Sequence, residues 1–268
     1  EEVVFFPNLL YPLAARPLPD RTTLLLSYNR DETSTRFSKI SSNLTEQWGE
    51  NYNVFQDVEE DLIVHLKRLG RRIPFFIGTS QSRYFWNGFY NFNLSLVFSN
   101  PSNGTETGLI SGFRSQSGMT AALPLNGNRY FFTRFNFNEH FVIKSQSINE
   151  NSIQFGGDLD SFLQPEIRDK AQVFMSDISV GNIRYRLMAS DTKRGQILLA
   201  FYDASATRLN GLKYLGRNNP YEIASLTPTL DGGLAVLGTS YLAGRFPRIC
   251  LFKISANELE NTVVSGGS

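Results

Sequence analysis

One short pattern recurs five times along this chain, and nothing else in the sequence restricts its fold as strongly. It is a turn followed by an apolar strand that carries a small residue at a fixed place. The copies are Leu24–Asn29 (LLLSYN), Phe75–Ser80 (FFIGTS), Tyr130–Phe135 (YFFTRF), Arg186–Asp191 (RLMASD) and Ala235–Ser240 (AVLGTS). Aligned, they place Ser27, Gly78, Thr133, Ala189 and Gly238 in one column, with steps of 51, 55, 56 and 49 residues. Self-similarity at such a period marks a repeat architecture rather than a lone hairpin.

The flanks repeat as well. A turn precedes each copy: PLPD, LGRR, NGN, VGN and DGG. Gly and Asn tolerate the positive φ of tight hairpins. Ahead of each turn lies another apolar stretch (LLYPLA, LIVHLK, MTAALP, VFMSDI, EIASLT), and after each copy a third (TRFSKIS, LSLVFS, HFVIKS, ILLAFYD, RICLFKIS). A weaker fourth follows, as in EQWGEN, GLISGF, SIQFGG and GLKYLG. Four strands in meander order make one propeller blade. A single blade cannot cover both of its faces, so ringing the blades buries each against its neighbours.

The expected fold is therefore all-β: one five-bladed β-propeller with four antiparallel strands per blade, and a six-bladed propeller or a β-sandwich as alternatives. The blades fall near residues 8–53, 54–115, 116–160, 161–219 and 220–268 with 1–7. Closure has two competing candidates for the missing strand of the last blade, the N-terminal EEVVFF and the C-terminal ENTVV. Blade two carries its own ambiguity, because VEEDLIVHLKRL also fits an amphipathic helix.

The C-terminal copy, Leu230–Leu259, with DGG, AVLGTS and ICLFKIS in order, resembles the degenerate DGG-type propeller repeats of exported and lipid-anchored Bacteroidetes proteins; the first copy keeps FSKISSNLTEQW. The resemblance implies a propeller and an exported location, periplasmic or at the cell surface, with a lipid anchor on a processed N-terminus as one form of attachment. It implies no activity, since such repeats serve many roles.

Composition removes several function classes. With 26 Lys+Arg against 25 Asp+Glu, the formal net charge is +1, and the chain lacks the basic footprint of a nucleic-acid binder. No apolar run reaches the 18 residues of a membrane-crossing helix. The lone Cys250, in RICLFKIS, reads as core and excludes an internal disulfide. His65 and His140 stand far from it and from each other, so no zinc site and no other metal site or cofactor is expected.

In a meander, the connection between second and third strands shares a face with the connection between blades. That face carries the long insertions, 49–61, 79–93 and 156–172, and loops of this kind carry function. RYFWNGFYNF is the most unusual of them. Tyr84, Trp86 and Tyr90 read as a stacking platform for sugar rings, with Arg83 and Asn87 as hydrogen-bonding partners. FNFNEHF (Phe135–Phe141) has a similar flavour. Asp61, Asp177 and Glu222, on innermost strands, are the candidates for a two-carboxylate glycosidase mechanism. The sequence thus favours an exported, non-enzymatic binding or scaffold protein, its ligand a glycan or a protein. A carbohydrate-active enzyme with carboxylates near the central channel is the alternative.

Overall fold

A computed structural model describes residues 5–7, 9–60, 62–63, 74–111, 117–169, 171–217, 219–242 and 246–265. The first sheet is a plain meander of β1 (Tyr11–Pro17), β2 (Thr23–Asn29), β3 (Ser34–Ile40) and β4 (Glu46–Asn53). The second orders β5 (Phe76–Thr79), β6 (Tyr84–Tyr90), β7 (Asn93–Ser99) and β8 (Glu106–Ser111) in the same way. The third begins with β9 (Ser117–Pro124), β10 (Arg129–Asn136) and β11 (Glu139–Ser147). The next strand, β12 (Ile153–Phe155), leaves that sheet and joins β8 in parallel, and β13 (Phe162–Leu163) pairs with β11 instead. The fourth sheet is β14 (Val173–Val180), β15 (Ile183–Asp191), β16 (Ile197–Tyr202) and β17 (Leu209–Leu215). The fifth holds β18 (Tyr221–Pro228), β19 (Leu234–Ser240) and β20 (Arg248–Ile254), followed by helix α1 (Ala256–Ser265). The first strands pack in succession, β1 on β5, β5 on β9, β9 on β14 and β14 on β18. The chain is an all-β, five-bladed propeller.

Strand alternation explains why the sheets stack. Side chains point to opposite faces at successive positions, and here both faces are apolar. In β6, Trp86 joins Leu24, Leu26 and Phe37 of the first sheet, while Phe85 joins Met119, Tyr130 and Phe132 of the third. In β10, Phe132 faces the second sheet and Phe131 the fourth, beside Met188 and Tyr202. In β15, Met188 faces back to the third sheet and Leu187 forward to Ile223, Leu234 and Val236 of the fifth.

The ends of the series differ. On the far face of the fifth sheet Ile249 is 85% exposed, and Leu237 and Leu251 are exposed beside it. The first sheet carries a polar network on Arg36, whose guanidinium bonds Glu46 at 3.1 Å and Asn51 at 2.8 Å. Among the described residues no apolar cluster joins the fifth sheet to the first.

Strand assignments change in three blades. In blade two, the expected first strand is replaced by helical residues at Leu62 and Ile63, with His65 and the rest of LIVHLK outside the described residues. Val58 and Leu62, four apart, are both buried, and the Asp57 carboxylate accepts the Glu59 amide at 2.9 Å as an N-cap. FFIGTS accordingly forms the first strand, not the second, and Gly78 leaves its small-residue role to make room for the Phe85 ring. In blade three, SIQF is not the fourth strand. The backbone at Glu150 and Ser152 closes onto Gly108, where an added Cβ would stand 2.6 Å from the Glu150 carbonyl oxygen, and that close approach delivers β12 to β8.

In the last blade, ENTVV is helical rather than extended. Residues 1–4 lie outside the described residues, and Phe5 and Phe6 form no strand. The helix buries Leu259 and Val263 in the cluster shared by the fourth and fifth sheets, and its backbone crosses β17 at Gly211. A Cβ there would lie 2.2 Å from the Thr262 carbonyl oxygen. Gly211→Ala is therefore expected to lift the helix and destabilise the protein by about 1–3 kcal/mol in chemical denaturation, although Gly→Ala at an unobstructed strand position stabilises slightly.

Candidate functional site

The aromatic segment does not form an exposed loop. Residues Tyr84–Tyr90 are β6, hydrogen-bonded to a strand on either side. Trp86 is 0% exposed and packs edge-on against Tyr52, with ring centroids 4.7 Å apart. Asn87 is also buried, and its amide donates to the carbonyls of Pro74 at 2.6 Å and Met119 at 3.1 Å, tying blade two to blade three. Tyr84 is half-buried beside Trp48. Tyr90 is half-buried against Tyr52, and burial together with Glu106 pushes its phenol up to about 12. Arg83 lies in the β5–β6 turn, on the short-turn face, where it bonds Asn151 at 2.8 Å. An aromatic run with both alternating faces apolar is a strand covered on both sides, and that is what these residues form.

Of the three carboxylates, the two that the structure describes are each committed to an arginine. Asp61 lies outside the described residues. Asp177 reaches the central cavity but is paired to Arg186, with Arg184 at 3.6 Å. Glu222 is held by Arg168 at 2.6 Å and accepts the Tyr241 hydroxyl at 2.8 Å. Arg168 also meets the buried Asp191 at 3.1 Å, and Asp191 accepts the Ile223 amide at 2.6 Å. Glu222 thus belongs to a bolt between blades four and five. Among the described residues, Asp177 is the one carboxylate in the cavity wall, whereas glycoside hydrolysis in its usual form needs two acting together. Among the described residues no group of three His, Cys, Asp or Glu stands ready for a metal.

The structure brings forward a different aromatic pair. Phe55 and Phe92 are 60% and 61% exposed, with ring centroids 5.4 Å apart and planes tilted by 32°. Phe55 lies in the connection from β4 to β5, and Phe92 in the β6–β7 hairpin, so both occupy the face shared by inter-blade connections. Backbone bonds fix them: the Phe55 amide donates to Asn91 at 3.0 Å, and the Asn91 amide to Asn53 at 2.9 Å. Asn91 holds a φ of 55° there, a conformation Asn tolerates well. Phe137, in the β10–β11 turn of the same face, is exposed and holds a φ of 54°, which is uncommon for a bulky residue. Beside Phe55 runs a groove of about 520 Å³ lined by Tyr28, Arg30, Thr33, Gln56, Asp57 and Glu59, with Arg30 and Glu59 paired at 3.4 Å. The sequence signal for these rings was slight: Phe92 breaks the alternation of its strand at a hairpin tip.

The first strands of blades one to four line a central cavity of about 680 Å³. His140, in its wall, is 2% exposed. Burial holds its pKa down to about 4, against the Asp169 carboxylate and the Arg168 backbone, which favour the charged ring; Lys193 opposes it.

No family model and no curated protein matches this chain. Among solved structures it is similar to a GH43 endo-arabinanase from Bacillus licheniformis, at 10% identity and a TM-score of 0.36 over 92% of this chain and 94% of that one. It is also similar to an α-L-arabinofuranosidase from Lactobacillus brevis, at 8% identity and a TM-score of 0.40 over 90% of this chain and 89% of that one. Likeness of this order carries no argument about what the chain does.

Trp86→Ala is expected to cost about 3–5 kcal/mol of stability, measured by denaturant unfolding; a cost below about 1 kcal/mol would mean the ring is not core. Because His140 is neutral in the folded state with a lowered pKa, the unfolded chain binds its proton first on acidification. Stability is then lost as the pH falls from about 6.5 toward 4, by on the order of 2–3 kcal/mol. Melting curves across that range should show the loss, and His140→Gln should flatten it.

Proposed function

We propose that this propeller is a non-enzymatic binding protein that takes a glycan on the face shared by its inter-blade connections. The observation that carries the reading is the exposed Phe55–Phe92 pair. Most aromatic rings of the chain are buried between blades, and leaving two large ones in water side by side forfeits burial energy. Contiguous exposed apolar surface rimmed by polar groups marks an interaction site. The C–H face of a sugar ring stacks on such rings while its hydroxyls reach the amides and charged groups around them. Arg30, Gln56, Asp57 and Glu59 provide those groups in the adjoining groove.

Both rings are set by backbone bonds that join blade one to blade two, so the platform is ordered before a ligand arrives. The exported setting, periplasmic or at the cell surface, enters this proposal through the DGG-type resemblance.

The test is a glycan array probed with the protein beside a Phe55→Ala/Phe92→Ala variant. Because both rings are exposed, the variant should melt within a degree or two of the parent (about 0.5 kcal/mol). Glycans bound by the parent should bind the variant roughly tenfold or more weakly. Full retention of binding in the variant would remove the platform. An array with no glycan bound would remove the glycan reading and leave a protein ligand.

A further inference from the structure

The hairpin within FNFNEHF (Phe135–Phe141) has three features that the Phe55–Phe92 platform does not account for. The first is exposure: Phe137 is 54% exposed. A single ring in water is ordinary on a protein surface, so this alone decides nothing.

The second is backbone strain. Phe137 is the first residue of a two-residue turn between β10 and β11, closed by the Asn136–Glu139 pair, and its φ is 54°. Gly, Asn and Asp suit such a position, whereas a bulky side chain there is strained. As a turn former Asn would serve better, and strain of this kind gathers at binding sites.

The third is recurrence. Asn136, Phe137 and Asn138 repeat the Asn91, Phe92 and Asn93 of blade two. Both tripeptides sit at the tip of the hairpin between second and third strands, closed in blade two by the Tyr90–Asn93 pair. In each tip the first turn residue holds a positive φ, 55° at Asn91 and 54° at Phe137. The corresponding turns of blades one and four carry charge instead, Arg30, Asp31 and Glu32 in one and Lys193 and Arg194 in the other. The two Phe-bearing tips thus stand on one face of adjacent blades, whose sheets pack through β5, β7 and β9. The spacing of stacked sheets, roughly 10 Å, sets the scale of the gap between them. Asn138 and Glu139 are exposed beside Phe137, as polar groups adjoin the platform in its groove.

We propose that Phe137 is a second contact for the ligand of the Phe55–Phe92 platform, and that this ligand is a polysaccharide chain laid across the tips of blades two and three, not a mono- or disaccharide. The proposal rests on the glycan reading of the platform. One sugar ring stacked on Phe55 and Phe92 does not bridge a gap of that scale, whereas successive residues of one chain reach both tips. The residue at Phe137 stacks its C–H face on the ring and turns its hydroxyls toward Asn138 and Glu139. Two contacts on one chain are linked binding events, so affinity grows with length until the chain spans both.

Calorimetric titration of the intact protein tests this, with cello-, xylo-, manno- and malto-oligosaccharides as probes, each from the disaccharide to the octasaccharide. In at least one series the affinity should rise about tenfold or more along the ladder. Phe137→Asn should keep the parent's affinity for the shortest member that binds and lose the rise. Asn suits the positive φ, so this variant should melt at or above the temperature of the parent, and weaker binding then reports the ring and not the fold. Phe55→Ala/Phe92→Ala should weaken every member of the series.

Affinity that stays flat with length in the parent overturns the proposal, and so does a rise that Phe137→Asn retains. In either case, binding that Phe55→Ala/Phe92→Ala loses leaves the platform standing as a site for short glycans. A Phe137→Asn variant that melts well below the parent makes the ring structural and also overturns the proposal. So does the absence of saturable binding by every series at millimolar concentration; the glycan array, which reaches sugars outside these series, then decides the platform separately.

Discussion

Everything in this molecule depends on strands that bury both faces. A β-strand sends successive side chains to opposite sides, and in β6, β10 and β15 both sets are apolar. Phe85 and Trp86, or Phe131 and Phe132, therefore belong to different cores although they are neighbours in sequence. Blades two, three and four are each glued to the one before and the one after by separate clusters. Removal of one large ring opens a cavity at one interface and leaves the other interface of the same strand in place. The aromatic content, 22 Phe among 268 residues, follows from having several such interfaces to fill with flat, close-packing side chains.

Apolar stacking alone would let the blades slide, and buried polar ties resist this. Thr35 donates to the Phe89 carbonyl at 2.6 Å between the first and second sheets. Asn87 reaches Pro74 and Met119 between the second and third, where the buried Glu150 also accepts the Tyr130 hydroxyl and, at 3.0 Å, the Ser82 hydroxyl. Asp191, wholly buried, accepts the Ile223 amide between the fourth and fifth, with Arg168 bridging it to Glu222. A shift of one residue would strand each of these groups without a partner, at a cost of about 1–3 kcal/mol apiece. The ties therefore set register, and they account for polar residues, Asn87 and Glu222 among them, that sequence alone offered as ligand-binding or catalytic.

Because the blades are committed to one another, chemistry is left to the places where strands end or converge. The loop face keeps Phe55, Phe92 and Phe137 in water. The cavity wall holds Arg16 near one end and the buried His140 near the other. The far face of the fifth sheet leaves Ile249 and Leu251 uncovered, and it sets the last blade apart from its four predecessors.

The sequence by itself determined the all-β class, the meander and the fivefold repeat, because turn residues and short apolar runs act locally and recur at a near-constant step. Eighteen of the strands follow from that local grammar or from its flanks, and LDGG with AVLGTS is one such turn and strand. What it could not determine was which neighbour a segment meets. Whether LIVHLK extends or coils, whether SIQF completes its own blade or crosses to β8, and whether ENTVV closes the ring or folds as a helix over Gly211 depend on contacts between residues far apart in the chain. The same holds for the site. An aromatic run reads alike on an exposed loop and on a strand covered on both faces, and only packing tells Trp86, with no exposed surface, from Phe92, standing in water. Tertiary structure decided exposure, and exposure decides which residues are free to bind.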